Sequence, residues 1–306
     1  MGELQRTLSW SHSRARAFRD GCARAYWWSY YGSWGGWRDD APPEVREAWF
    51  QKKLTTHAAW MGVIVHDVAS RGLVRAMRGE AEDLAAAHAF AEQTVRAQFV
   101  RSRDGTWRRR TGRDRVGLQE HYYGEPLPDD AEGTAVREVA SLVDALHAHP
   151  FYRRMLAVPH KVAEQEVLRT FVVDGDPILV SLDVLMWDGQ GGAVIVDWKT
   201  GRRHEDADIA AQLGAYGLYV TRERGVPPDR IRAVHVNLRD GTTTTHGVGA
   251  AEIEAARARI ADDVRDMRAR LRDVDANEAY ADDYPLLPEG SPACTRCSFR
   301  GTCGRA

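Results

Sequence analysis

The sequence contains no apolar run long enough to cross a bilayer, which takes about 20 predominantly apolar residues. Residues 1–14 also lack the apolar core of a secretory signal. These absences lead us to expect a cytoplasmic protein with no membrane partner. Charge of one sign is missing too: 42 Lys and Arg against 44 Asp and Glu leave a net charge of −2. The overall field therefore announces no polyanionic partner, and such a partner would need a local basic path. There is no internal repeat, no low-complexity linker and no G-x-x-x-x-G-K-[ST] loop. Cysteine is scarce. Cys22 stands near the start, and Cys294, Cys297 and Cys303 crowd near residue 300, with none between. In a reducing compartment that set reads as a metal site before it reads as disulfides.

The composition is otherwise ordinary for a soluble globular chain, with 43% hydrophobic and 28% charged residues. Its 306 residues allow one large domain or two ordinary ones and a substantial core. The organising stretch runs from Ile178 to Gly201. Two apolar runs, Ile178–Met186 and Ala193–Val196, flank Asp188-Gly189-Gln190-Gly191-Gly192, and this pattern predicts a β-hairpin. Each strand carries a carboxylate where an apolar side chain would pack better: Asp183 in the first and Asp197 at the end of the second. Lys199 lies two residues beyond Asp197, so both point to the same side of an extended chain. A buried carboxylate is costly unless it is paired or binds a cation. Two such groups beside a lysine suit a hard divalent ion, Mg²⁺ or Mn²⁺. A salt bridge from Lys199 to Asp183 or Asp197 is the plainer alternative.

Before this hairpin the pattern is helical. Ser11 is an N-cap candidate for a helix running past Cys22 to about Tyr31, densely aromatic at its end. Those aromatics read as core, with base stacking open to one or two of them. Helices are expected over 44–53, 55–77, 80–100 and 130–147, the last ended by His149-Pro150. Gly62 permits close packing, and His66 follows one turn later on a largely apolar face. Arg101, Arg103 and the stretch from Trp107 to Arg115 form either a basic path or a solvated loop. The period then changes. A strand is expected over 162–173, a helix over 206–222 with Gln212 and Tyr216 on one face, a strand over 231–238, and an amphipathic helix over 250–271. The fold class is α/β, a mixed sheet with helices around it.

These marks together resemble the RecB-like branch of the PD-(D/E)xK nucleases, and within it the iron–sulfur members, the AddB nuclease domain and the CRISPR-associated exonucleases. The residues that carry the resemblance are Ser11, Phe18, Cys22 and Tyr26; Gly62 and His66; Asp183; Asp197-Trp198-Lys199-Thr200-Gly201; Gln212 and Tyr216; and Cys294, Cys297 and Cys303. The resemblance implies a restriction-endonuclease-like core in a single domain. Residues 9–66 would hold the N-terminal helices, 67–160 a helical insertion, 161–272 the nuclease core and 282–306 the cysteine-rich segment. His66, Asp183, Asp197 and the Trp198 carbonyl would ligate Mg²⁺ or Mn²⁺. Asp183, Asp197 and Lys199 would be catalytic, and Gln212 and Tyr216 would meet the substrate. Glu166 is a supporting acid, with Glu164 its competitor. Cys22, Cys294, Cys297 and Cys303 would hold a structural 4Fe-4S cluster clipping the two ends of the fold together, with zinc as the alternative. The implied activity is hydrolysis of DNA phosphodiesters, as an exonuclease on single strands or ends. It would serve repair, recombination, CRISPR adaptation or phage defence, and a helicase or other DNA-processing partner would supply any unwinding. The competing reading is a non-catalytic DNA-binding scaffold.

Overall fold

The computed structural model describes residues 6–81, 83–201 and 206–305. Ser11 caps α1 (His12–Asp20) by accepting the Arg14 N–H at 3.2 Å. The single long helix expected here is divided. α1 stops where Gly21 turns extended, a position where a Cβ would lie 2.4 Å from the Ala17 carbonyl oxygen, and α2 (Ala23–Trp27) starts afresh. Cys22 consequently occupies the break rather than a helix. A π-turn over Trp28–Gly32 then buries Trp28 and Tyr31. Next come α3 (Pro43–Gln51), the short β1 (Leu54–Thr55), α4 (His57–Met77) and α5 (Leu84–Arg103). They are followed by β2 (Gly117–Leu118), α6 (Gln119–Tyr123), α7 (Ala131–Ala148) and α8 (Pro150–Ala157). Pro150 ends one helix as expected but also opens another, since proline is favoured at the first helical position.

The second half builds the main sheet from β3 (Val162–Val173), β4 (Asp176–Trp187), β5 (Ala193–Lys199), β6 (Ile231–Asn237) and β7 (Thr243–Gly247). These strands lie in chain order; β5 and β6 run parallel, joined by α9 (Asp206–Arg224), and the other pairs are antiparallel. After β7 come α10 (Ala250–Arg268) and α11 (Pro292–Thr295). Alternation along β5 divides the core. Val194, Val196 and Trp198 pack with α4, α5, α7 and α8, whereas Ala193 and Ile195 pack with α1, α9 and α10. The sheet is thus a middle layer between two helical layers. Among the described residues no helix is long and apolar enough to cross a membrane.

The sheet is irregular at one level. Along β4, Leu182 faces the α9 side and Val184, two residues on, faces the α4 side, so the alternation slips at Asp183. The ladder between β3 and β4 pairs Gln165 with Val184 and Val167 with Leu182, and skips Glu166 and Asp183. The β4–β5 ladder stops at Val184 and Val196, one step short of Asp183 and Asp197. Strands that part in this way leave room for polar side chains, and a bulge of this kind re-aims them.

Candidate active site

That irregular level lines up one row of ionisable side chains across four strands: Glu166, Asp183, Asp197 and His235. Asp197 and His235 are register partners in the parallel β5–β6 pair. Glu166 takes a left-handed φ of 48°, a conformation that costs a side chain of this type free energy and that clusters at functional sites. The Trp198 N–H, freed from the β4 ladder, donates instead to Asp183 Oδ2 at 2.7 Å. The helix above the row is brought in by Gly62, where a Cβ would meet Thr200 Oγ1 at 2.4 Å. One turn later, His66 Nδ1 stands 2.9 Å from Glu166 Oε1 and 3.6 Å from Asp183 Oδ1. Ligand atoms of His66, Glu166 and Asp183 lie within 4.8 Å of one another.

The electrostatics of this group call for a cation. Burial raises the Asp183 carboxyl, and Asp197 and Glu166 add to the rise against the pull of His66 and Lys199, leaving it at about 7. Burial acts against a charged His66, but Asp183 and Glu166 outweigh it and hold the imidazole up at about 9. Asp197 is 1% exposed, and its pKa is lowered: burial opposes ionisation, and His235 and Lys199 overcome it. Lys199 Nζ lies 2.9 Å from this carboxylate. His235 Nδ1 is 3.2 Å from Asp197 Oδ2, the oxygen that also faces the Lys199 ammonium at 2.9 Å. Crowded, buried carboxylates of this kind fit a divalent ion.

The expected substrate residues stand on the other side of Lys199. Gln212 Nε2 donates to the Tyr216 hydroxyl at 2.9 Å, which donates to the Ser181 carbonyl at 2.8 Å. Burial first, then the negative charges of Asp197 and Asp183, keep the Tyr216 hydroxyl protonated. Two clefts meet at Lys199. One, of about 660 Å³, is lined by His66, Glu166, Arg113 and Thr56 among others; the second, of about 540 Å³, by His12, Arg16, Asp208 and Gln212 among others. Glu164 does not join the site. It is tied to Arg169 at 2.9 Å, to the Tyr219 hydroxyl at 2.8 Å and to Arg224. His235 is the member that reading the sequence missed; an ionisable residue inside the apolar strand 231–238 was its only mark. The basic stretch is partly spoken for, since Arg108 pairs with Glu47, and Arg113 with Asp67 and Glu166.

Cys22, at the N-cap of α2, comes near the C-terminal cysteines, since Cys297 and Cys303 both feel its charge and that of Cys294. Cys297 and Cys303 pack with Trp28 and Phe299. Burial raises both thiols, and each also feels the charges of Cys22 and Cys294. The Phe299 N–H donates to Cys297 Sγ at 3.4 Å. The buried indole N–H of Trp28 borders Cys303 without a well-aligned acceptor. N–H groups border two of these four thiols, Cys297 and Cys303, a setting that suits thiolate ligands of a metal centre. The segment is held by Tyr123, whose hydroxyl donates to the Ser298 carbonyl at 2.7 Å, and by Thr302, which donates to Gln51 at 2.6 Å.

A comparison with curated proteins finds no match. Among solved structures, the crystal structure of SSO0001 is similar: 16% identical, covering 78% of this chain and 95% of that one, with a TM-score of 0.30. The family model described as the PD-(D/E)XK nuclease superfamily matches residues 9–304, a span that holds the whole row of ionisable residues and all four cysteines. The chain belongs to the PD-(D/E)XK nuclease superfamily.

Proposed function

We propose that this chain is a divalent-metal-dependent deoxyribonuclease, an exonuclease on single strands or DNA ends, stapled by a 4Fe-4S cluster. The observation that carries the reading is the row of Glu166, Asp183 and Asp197 at the parting of the strands, with His66 above it and Lys199 beside it. His66, Asp183, Asp197 and the Trp198 carbonyl, joined by Glu166, would hold Mg²⁺ or Mn²⁺. Such an ion, when bound, makes water more acidic and polarises a phosphoryl oxygen. The chain's own groups do the rest. Asp197 fixes the Lys199 ammonium as a point charge and donor where charge develops on the phosphate. His66 would have to be neutral to ligate the ion, so metal binding would release its proton to solvent. The anchored Gln212–Tyr216 pair presents a rigid polar edge to the strand.

The cysteines would bind Cys22 to the 294–303 segment, so that cluster binding adds directly to folding free energy. The family resemblance favours iron and sulfide over zinc, and the N–H groups facing sulfur support it. Repair and recombination, CRISPR adaptation and phage defence all use such an activity, and a helicase or other DNA-processing partner would separate strands. End-labelled single- and double-stranded DNA, incubated with Mg²⁺ or Mn²⁺, tests the reading. Loss of short products in Asp197→Ala supports it. Binding without cleavage by the unaltered protein would replace it with the scaffold reading. Visible absorbance of anaerobically purified protein tests the cluster.

A further inference from the structure

Beside the proposed metal ligands, cations gather where, among the described residues, no acid is seen to answer them. Lys52 and Lys53 follow α3 and lead into β1. The parallel pairing of Leu54 with Gly117 lays them alongside Arg115. Two aromatic rings form the floor. Lys52 Nζ is 5.2 Å and Arg14 Cζ 4.4 Å from the centre of the Tyr30 ring. Lys53 Nζ is 5.9 Å and Arg115 Cζ 4.5 Å from that of Trp49. Among the described residues the neighbours that perturb Lys52 are Lys53 and Arg14, and the one that perturbs Lys53 is Arg115, all of the same sign. Burial and then this repulsion bring Lys52 down to about 8. The Arg115 Nε is buried without a hydrogen-bond partner. Crowded like charges are costly, and an incoming anion relieves them.

The cluster is next to the site. Thr56, Ala58 and Ala59, just beyond Lys53, line the larger cleft with His66 and Lys199, as does Arg113, two residues before Arg115. Ser13 and Arg16, on either side of Arg14, line the smaller one. On the outer side, Gly36 lies so close to Trp49 that a Cβ there would meet the Trp49 Cβ at 2.4 Å. That contact brings up Trp34 and Trp37, packed edge to face at 5.0 Å and 38% and 40% exposed. Exposed indoles beside unanswered cations suit a flexible polyanion with flat bases. A duplex keeps its bases stacked and hidden and would leave the indoles unused.

We propose that Lys52, Lys53 and Arg115 hold phosphates of single-stranded DNA at the margin of the active site, with bases stacking on Trp34 and Trp37. This rests on the reading of the chain as a deoxyribonuclease. The test uses the full chain in EDTA, a labelled single strand of about 20 nucleotides, and anisotropy across a salt series. Lys52→Ala/Lys53→Ala should flatten the slope of log affinity against log salt by about 1.4, at about 0.7 per lost phosphate on a single strand. Trp37→Ala should weaken binding about tenfold, and Lys52→Arg/Lys53→Arg, which keeps both charges, should keep the affinity and slope of the unaltered protein. Hydrolysis of bis(p-nitrophenyl) phosphate with Mn²⁺, too small to reach the cluster, should be unchanged in all three. If the unaltered protein cleaves neither this ester nor DNA, the deoxyribonuclease reading fails, and the binding series still decides the present one. An unchanged affinity and slope in a normally melting Lys52→Ala/Lys53→Ala variant overturns it. So does an equal loss on blunt duplex, or a loss confined to RNA.

Discussion

Replacing Asp183 by Asn should stabilise the protein while ending its activity. Burial and two neighbouring carboxylates raise the Asp183 carboxyl from 3.8 to about 7, with the attraction of His66 and Lys199 already included. For an acid whose folded pKa lies above its unfolded value, the penalty begins as pH rises past the unfolded value and is complete above the folded one. Asp183→Asn should therefore match the unaltered protein near pH 4 and exceed it increasingly up to about pH 7, then by a constant margin. Three pH units correspond to roughly 4 kcal/mol at 1.36 kcal/mol each. Water entering from the adjoining cleft screens part of that, and about 2 kcal/mol is the expected gain. With about 2.1 cal/mol/K of unfolding entropy per residue, this raises Tm by about 3 °C. The amide oxygen can still accept the Trp198 N–H, so the strand end keeps its geometry. The assay is thermal unfolding in EDTA between pH 4 and 8.5, repeated with Mn²⁺, which should raise the Tm of the unaltered protein and leave the variant's alone. A variant no more stable than its parent at pH 8 without metal would refute the account of crowded carboxylates.

The two glutamates of β3 should separate cleanly. Glu166→Gln should cut cleavage at least tenfold with a small change in stability, whereas Glu164→Gln should lower stability by about 1–3 kcal/mol in urea unfolding and spare the chemistry. Burial disfavours the charged Glu164, but Arg169, the Tyr219 hydroxyl and Arg224 outweigh it and depress its pKa. Its contribution is therefore present above pH 4.5 and lost as pH falls through the depressed value, a loss that Glu164→Gln should not show. Lys199→Met should reduce the cleavage rate on end-labelled DNA by about 10² or more. Cys303→Ala should lose the visible absorbance and lower the Tm of the whole protein, and a colourless parent with an unchanged melt in the variant would remove the staple.

The sequence disclosed the residues that local spacing can place. Asp197 and Lys199 alternate along one strand, and Gln212 and Tyr216 lie one helical turn apart. Gly62 and His66 share a face of α4 for the same reason. What spacing cannot place is anything set by an irregularity or by register between strands. Glu166 and Glu164 are equivalent by alternation, and only the left-handed φ at Glu166 separates them. His235 reaches Asp197 through a parallel pairing across α9, which no short motif encodes. The helix expected to run past Cys22 to about Tyr31 breaks at Gly21, where the backbone turns extended. β7 was overlooked because its Thr-rich segment is mostly exposed and has no apolar alternation.

Lys199 borders both clefts, and this has a consequence for traffic through the protein. A site with one door must release everything between events. For the exonuclease proposed above, an opening on each side of the ammonium would let a cut piece depart by one while the remaining polymer keeps its grip in the other. Such a two-door layout would then favour repeated trimming of one captured molecule over visits to many, and would make run length a property of the doorways more than of the metal.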